Sequence, residues 1–175
     1  MGKKTIAAIL KEYSLKTLEG ANLKGADLKG ADLSKANLTK ADLTNADLRG
    51  ANISGALLSY ANLSKADLNN ADIKYTYLNN TDLRGANFGG ADLSATRLVS
   101  ADFEGANLEG ANLTNADLRG AYLIEANLRG AILKDADFSK AKLRYAYFTK
   151  ANLSGANLSG VNLRYTFGIK STDME

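Results

Sequence analysis

The sequence predicts an all-β solenoid, in which short parallel strands stack as the chain winds around one axis. Three observations lead to this prediction: a five-residue repeat runs from Ala21 to Tyr165 without insertion or deletion, its third position is always apolar, and proline is absent. A five-residue step turns an α-helix by roughly 500°, which would spread the apolar residues around the cylinder. An extended chain keeps the first and third positions on one side only if it bends once per unit.

Each position of the repeat has a structural role. The 145 residues from 21 to 165 form 29 units (145/5), with Ala first in 25 units and Leu, Ile or Phe third in all 29. We expect both side chains inside, where closely stacked coils leave room for only one large residue per unit. The fifth position is Gly in 12 units and Asn in four, which indicates bends with positive φ. The absence of proline preserves backbone N–H groups for ladders between coils.

Departures from the repeat indicate four units per coil. Where outward positions carry unusual residues, these recur at intervals of four units: Leu57, Tyr77 and Arg97 at the second position, Tyr122 and Lys142 at the second position, and Tyr145 and Tyr165 at the fifth. Residues four units apart would then lie above one another on the same face. The Asn side chains at 87, 107 and 127 share this spacing and are expected to form a side-chain ladder.

The A(D/N)LXX pattern, seen in the unit ANLKG at residues 21–25, resembles the repeat of the pentapeptide repeat family. The resemblance covers about residues 16 to 165. It implies a right-handed quadrilateral parallel β-helix of about 7 coils, four pentapeptides per coil (145/20), with the first and third positions facing inward. Because alternate residues of an extended chain point to the same side, the repeat by itself also places the first and third positions inside.

The ends of such a stack expose strand edges and core, so they need covers. Residues 5–13 predict a short amphipathic capping helix with Thr5 as its N-cap, because apolar side chains follow the spacing i, i+3, i+4 and i+7 at Ile6, Ile9, Leu10 and Tyr13. At the other end the repeat fails at Gly168, where Leu is due. We therefore divide the chain into a capping helix at 1–15, the β-helix at 16–165 and a tail at 166–175.

The composition argues against catalysis and against bound cofactors or metals. The chain has no His and no Cys, which removes the usual general base and the usual nucleophile and transition-metal ligands. Of 13 Asp residues, 11 occupy the second repeat position, so none stands out as a functional carboxylate. We expect no enzyme, no catalytic residue, no cofactor and no metal site.

Sorting charges by face tests two nucleic-acid hypotheses. Some pentapeptide repeat proteins imitate B-form DNA and act on DNA gyrase, which requires one strongly acidic side. In a register of four units per coil, the faces that begin at Leu23, Leu28, Leu33 and Leu38 carry net charges of +1, 0, −1 and +2. No face imitates DNA, and none offers the continuous basic track that phosphates require, despite a pI of about 9.0. We expect neither nucleic acid nor a membrane as partner.

Large side chains at outward positions form the candidate partner-binding site. They fall into two groups, which are Leu57, Tyr60, Tyr75, Tyr77, Arg97 and Val99, and nearer the C-terminus Tyr122, Ile124, Tyr145, Tyr147 and Tyr165. Tyr and Arg on a rigid surface are typical of protein–protein hot spots. A competing interpretation is that the tyrosines only cover backbone at wide corners.

The sequence therefore predicts a non-enzymatic solenoid that binds an unknown protein partner as a rigid interaction or scaffold module of unknown biological role. Two alternatives remain open: a gyrase-directed DNA mimic, which the balanced faces disfavour, and an engineered, consensus-like scaffold, which the uninterrupted repeat suggests. The start of the chain has no signal-peptide pattern, so we expect a cytoplasmic location. We expect a monomer rather than a homodimer joined at the C-terminal end.

Overall fold

The computed structural model describes residues 4–169, and most of them form one parallel β-helix. Second-position residues pair in parallel with the second-position residue four units later, from Asn22 with Asp42 to Tyr147 with Phe167. The predicted repeat of four units per coil is confirmed. Within 4–169 the strands are reduced to isolated bridges, because the fourth and fifth residues of every unit form a turn. There is one bridge per wall and coil except at Lys142 and Asn162, and a further bridge joins Thr5 to Asp32.

The backbone bonds explain why the five-residue period must be kept. The Leu23 N–H donates to the Asp42 carbonyl one coil later at 2.7 Å, and the Asp42 N–H donates back to the Ala21 carbonyl at 2.9 Å. Within each turn a further bond links two units, as where the Ala26 N–H donates to the Leu23 carbonyl at 3.0 Å. These bonds recur along the chain, so a single insertion would misalign every ladder above it.

The corners demand a left-handed backbone conformation at the fifth position. All 29 fifth-position residues, of which 12 are Gly, have φ between 54° and 72°. The second-position Asn or Asp supports the same corner, because its Oδ1 accepts the N–H two residues later, as Asn22 does from Lys24 at 3.2 Å. The bends predicted from Gly and Asn are confirmed, and the Asx turn explains why Asn and Asp dominate the second position.

The core is the axis of the coil. First- and third-position residues from Ala21 to Leu153 are buried, and Phe88 and Phe103 pack with ring centroids 5.6 Å apart. Buried Thr replaces Ala at three places, where each hydroxyl donates to a core carbonyl: Thr76 to Ile53 at 3.0 Å, Thr81 to Leu58 at 3.0 Å and Thr96 to Ile73 at 3.1 Å. No buried side-chain polar atom of residues 4–169 lacks a partner.

Four walls surround this axis, and each is named here by its first core residue. Wall 1 contains Leu23 and every fourth unit after it, wall 2 begins at Leu28, wall 3 at Leu33 and wall 4 at Leu38. Side-chain ladders run up the walls. On wall 2, the Asn107 amide donates to Asn87 Oδ1 and the Asn127 amide to Asn107 Oδ1, both at 3.0 Å, as the spacing predicted.

Helix α1 spans Ile6–Glu12 and covers the first coil. Thr5 is its N-cap, with Oγ1 accepting from the Ala8 N–H at 3.4 Å, and Ile9 is fully buried on the core. The C-cap residue Tyr13 also bonds the first coil, because its hydroxyl accepts the Asp27 N–H at 3.1 Å. The predicted capping helix and its N-cap are present.

The C-terminal end is more open. Inward-facing Ala156, Leu158, Val161 and Leu163 are only partly buried, whereas the equivalent residues of earlier coils are buried. Gly168 interrupts the repeat as expected, although the ladder reaches Phe167 through its bridge to Tyr147. Residues 170–175 of the predicted tail lie outside the described range.

Below about pH 8, thermal stability should vary with pH only in acid. Hydrogen bonds from Arg84 and Arg119 lower the pKa of Asp82 and Asp117, so these carboxylates add stability above the unfolded-state pKa of about 4 and lose it as the pH falls below. With no His or Cys, little titrates between about pH 5 and 8. Circular-dichroism melts should give a constant midpoint across that range and a falling one below about pH 4. Asp82→Asn with Asp117→Asn should reduce the acid loss; a transition centred near pH 6 would contradict this account.

Candidate functional site

The first predicted group lies mainly on wall 4 and is called the wall-4 patch: Leu57, Tyr60, Tyr75, Tyr77, Arg97 and Val99. Parallel bridges join Leu57 to Tyr77 and Tyr77 to Arg97, so these three side chains stand above one another. Tyr75 lies at the corner just before wall 4. The structure therefore brings this group together on one wall and its edge, as the register of four units per coil predicted.

Two corner tyrosines dominate the wall-4 patch. Tyr60 is 61% exposed and Tyr75 is 66% exposed, and both have positive φ, at 63° and 59°. Within residues 4–169 neither hydroxyl has a hydrogen-bond partner. Beside them, the Arg97 guanidinium lies 5.3 Å from the centroid of the Tyr77 ring, a cation–π contact that orients both groups outward.

The second predicted group divides between two walls. Tyr122, Ile124, Tyr145 and Tyr165 lie on wall 1 and are called the wall-1 patch, with the Tyr145 and Tyr165 rings 5.7 Å apart. Tyr147 lies around the corner on wall 2, where it stacks on Phe167 at 4.9 Å and carries the Arg129 guanidinium 4.5 Å above its ring.

Two exposed apolar residues were missed by the sequence prediction. Ile132 is 43% exposed at a second position of wall 3, and Phe167 is 45% exposed on wall 2. Ile132 was detectable as a departure from Asn or Asp, but the second positions one coil before and one coil after it carry the usual Asn. Phe167 follows Tyr147 by one full coil, so extending the register past the last complete unit would have found it.

A cleft opens beside the wall-1 patch, between the last two coils. Lys142 and Asn162 are one coil apart, yet this pair lacks the bridge that every other such second-position pair forms between residues 22 and 167. The Tyr145 N–H donates to the Tyr165 carbonyl at 3.0 Å instead of to Arg164, a shift of one residue. The displaced coil leaves a cleft of about 460 Å³, lined by aromatic, apolar and basic side chains.

The basic residues of this cleft differ from three of the four other arginines at the fourth repeat position, the exception being Arg129, which follows Asn127 and stacks on Tyr147. Arg49, Arg84 and Arg119 each bond the carboxylate two residues earlier, which is Asp47, Asp82 and Asp117 respectively. Arg144 and Arg164 have Lys142 and Asn162 at that place, and within residues 4–169 neither makes an ion pair. They stack instead on tyrosines: the Arg144 guanidinium lies 4.6 Å from the centroid of the Tyr145 ring, and the Arg164 guanidinium lies 4.9 Å from that of Tyr165. The cleft thus gathers cations without carboxylates.

A parallel β-helix with a buried Leu and Ala axis and Asx-supported corners defines a β-solenoid repeat protein. The family model described as pentapeptide repeats matches this chain in eight copies within residues 17–166. The chain belongs to the pentapeptide repeat family. No helix within residues 4–169 has the length and apolar character needed to cross a membrane.

Solved structures include similar proteins. HetL, a pentapeptide repeat protein involved in heterocyst differentiation regulation from the cyanobacterium Nostoc sp. strain PCC 7120, is 37% identical with a TM-score of 0.67 over 85% of this chain. The match spans 66% of HetL, slightly under two thirds of its length. QnrB1, a plasmid-mediated fluoroquinolone resistance protein, is 22% identical with a TM-score of 0.56, over 84% of this chain and 88% of QnrB1, and shows the fold alone. Comparison with curated protein sequences found no significant match.

Proposed function

We propose that this chain is a rigid, non-enzymatic interaction module that binds a protein partner in the cytoplasm. It would act as a monomeric, right-handed quadrilateral β-helix of about seven coils, with the wall-4 and wall-1 patches as its contact surfaces. HetL is described as taking part in regulation, an activity compatible with a binding module.

The placement of Tyr60 and Tyr75 carries this proposal. A bulky residue with positive φ costs about 1–2 kcal/mol relative to Gly, and both rings are largely exposed. Neither hydroxyl has a hydrogen-bond partner within residues 4–169. Seventeen of the 29 corners carry a side chain at positive φ, so exposure of a large aromatic ring distinguishes these two neighbouring corners, and a partner that buries the rings would offset the cost.

The competing explanation, that tyrosine is needed to cover wide corners, is weakened by the rest of the repeat. Corners with Gly have φ from 62° to 72°, which overlaps the range of the tyrosine corners. Gly25, Gly105 and Gly130 have open space where a side chain would begin, and their corners keep the same ladders. A tyrosine is therefore not required to form the corner.

Second-position carboxylates on the walls hydrogen-bond to residues of their own corner, which favours binding over catalysis. Asp42 accepts both the N–H and the hydroxyl of Thr44, at 3.0 and 2.6 Å, and these bonds lower its pKa. Such carboxylates stay ionised and locally bonded at neutral pH, so they are poor proton carriers.

The DNA-mimic alternative also loses support from these contacts. Arginines neutralise carboxylates on the same wall, as Arg49 does by bonding Asp47 while its Nε lies 3.7 Å from Asp67. A surface with paired charges lacks the continuous negative potential of a phosphate backbone. The likeness to QnrB1 concerns the fold alone, so it does not restore that alternative.

Reverting the wall-4 patch to repeat residues tests the proposed function. The triple variant Tyr60→Gly, Tyr75→Gly and Tyr77→Asn should fold with an unchanged or higher melting temperature, since each new residue suits its position. Immobilised wild-type protein should capture a partner from lysate that the triple variant captures at least about tenfold less, as expected for loss of hot-spot residues.

The matched control places the same change away from both patches. Asn45→Gly with Asn70→Gly alters fifth-position residues at the two edges of wall 2, opposite wall 4, that have φ of 57° and 56°, and it should leave capture unchanged. Equal capture by wild type and the triple variant would contradict a binding role for the wall-4 patch. A marked fall in melting temperature of the triple variant would show that the tyrosines are structural.

A further inference from the structure

We propose that the cleft between the last two coils of wall 1 binds an extended acidic peptide segment of a partner protein. This inference rests on the proposed function and names the partner chemistry for the wall-1 patch. Three independent features support it: an interrupted backbone ladder, a set of cations without carboxylates, and an aromatic wall. All three belong to the same cleft.

The backbone offers the first feature. In the regular pattern Asn162 would donate its N–H to the Ala141 carbonyl and accept the Leu143 N–H, and both bonds are missing. Leu143 is only 1% exposed, and within residues 4–169 its N–H has no acceptor. One residue of an extended peptide could supply the missing carbonyl and N–H together, as in β-strand addition.

The charges determine what kind of peptide fits. Lys142, Arg144 and Arg164 line the cleft, and no acidic side chain of the described residues does. The nearest acidic residue along wall 1, Glu125, lies at the corner one coil below Tyr145 and forms no ion pair within residues 4–169. At the same repeat position, Arg49, Arg84 and Arg119 bond an Asp two residues earlier, whereas Arg129 follows Asn127 and stacks on Tyr147. A peptide with Asp or Glu would provide the carboxylates that this coil lacks.

The aromatic wall positions the cations. Arg144 donates to the Tyr145 hydroxyl at 2.8 Å and lies within cation–π distance of both Tyr145 and Tyr165. Stacking holds the planar guanidinium groups in place, which reduces the entropy lost when they bind a carboxylate. Tyr122 and Ile124 supply an apolar floor for the alternate side chains of an extended segment. The site therefore suits alternation of acidic and apolar residues.

Binding is tested with the full chain and a fluorescent peptide of about seven residues that alternates Asp or Glu with Val, a pattern suited to one strand. Anisotropy titration should show saturable binding that weakens as salt is raised from about 50 to 200 mM. The same peptide with Asn and Gln in place of its acids should bind at least about tenfold more weakly. N-methylation of the acidic residues should weaken binding as well, because it removes the N–H offered to Ala141.

Matched arginine variants locate the site. Arg144→Gln with Arg164→Gln should weaken the peptide at least about tenfold, whereas Arg84→Gln with Arg119→Gln should change it less than about twofold. Absence of binding, equal binding of the amide peptide, equal effects of the two variants, or preference for a single-stranded oligonucleotide would each overturn the inference. Failure here, with partner capture still dependent on the wall-4 patch, would leave the proposed function standing.

Discussion

Leu108→Asp should prevent the central coils from folding. Leu108 is fully buried, and its N–H donates to the Asn127 carbonyl at 2.7 Å, so the side chain cannot turn outward without breaking the ladder. An ionised carboxylate on the apolar axis would lose its hydration and find no cation, and protonating it leaves a polar group with few partners. The cost is several kcal/mol, comparable with the roughly 5–15 kcal/mol that stabilises a typical domain.

The damage should spread beyond one unit, because each coil is stabilised by its neighbours. Circular dichroism and hydrogen exchange should show loss of structure and loss of amide protection on both sides of residue 108. Leu108→Met is the control of similar volume and should cost less than about 1.5 kcal/mol. A Leu108→Asp protein that melts cooperatively near the wild-type temperature would refute the assignment of the third position to the core.

Phe103→Ala should cause the next largest loss, about 3–5 kcal/mol in the free energy of unfolding. The Phe103 ring is fully buried and packs against Phe88, and the ladders above and below hold the coils at a set spacing, so neighbouring residues cannot collapse into the space. Part of the loss is transfer free energy and part is the cavity. Urea unfolding monitored by circular dichroism measures the difference.

Phe103→Leu is the matched control, because Leu occupies the third position in 23 of 29 units. It should cost about 1 kcal/mol, since most of the buried volume remains. A loss below about 1 kcal/mol for Phe103→Ala would mean that the axis can contract locally, which is inconsistent with coils held by regular ladders. More than one unfolding transition would instead indicate that groups of coils unfold separately, as in other solenoids. The urea midpoint of each transition would then be compared between the variant and the wild type.

Much of the candidate site could be located from the sequence. A period of four units assigns each side chain to a wall, so Leu57, Tyr77 and Arg97 could be placed in one column before any coordinates. Exposure and contacts could not be assigned in this way. Tyr60 and Tyr145 occupy equivalent fifth positions, yet Tyr60 has no ring neighbour within the described residues, while Tyr145 packs on an aromatic ring and a guanidinium. The difference depends on which residues lie in the next coil and how their side chains turn.

The sequence by itself determined the repeat of four units per coil, the buried positions, the turns and the capping helix. These depend on alternation, side-chain volume and φ preference, which are local properties repeated at a constant period. Only the tertiary structure decided that Asn162 lies out of register with Lys142 and that a basic cleft opens there. The unit at 161–165 has the usual Asn, Leu and turn, but stacking depends on contacts with the coils on both sides. At the open C-terminal end those contacts are incomplete, and this unit also begins with Val161 where 25 of the 29 units have Ala.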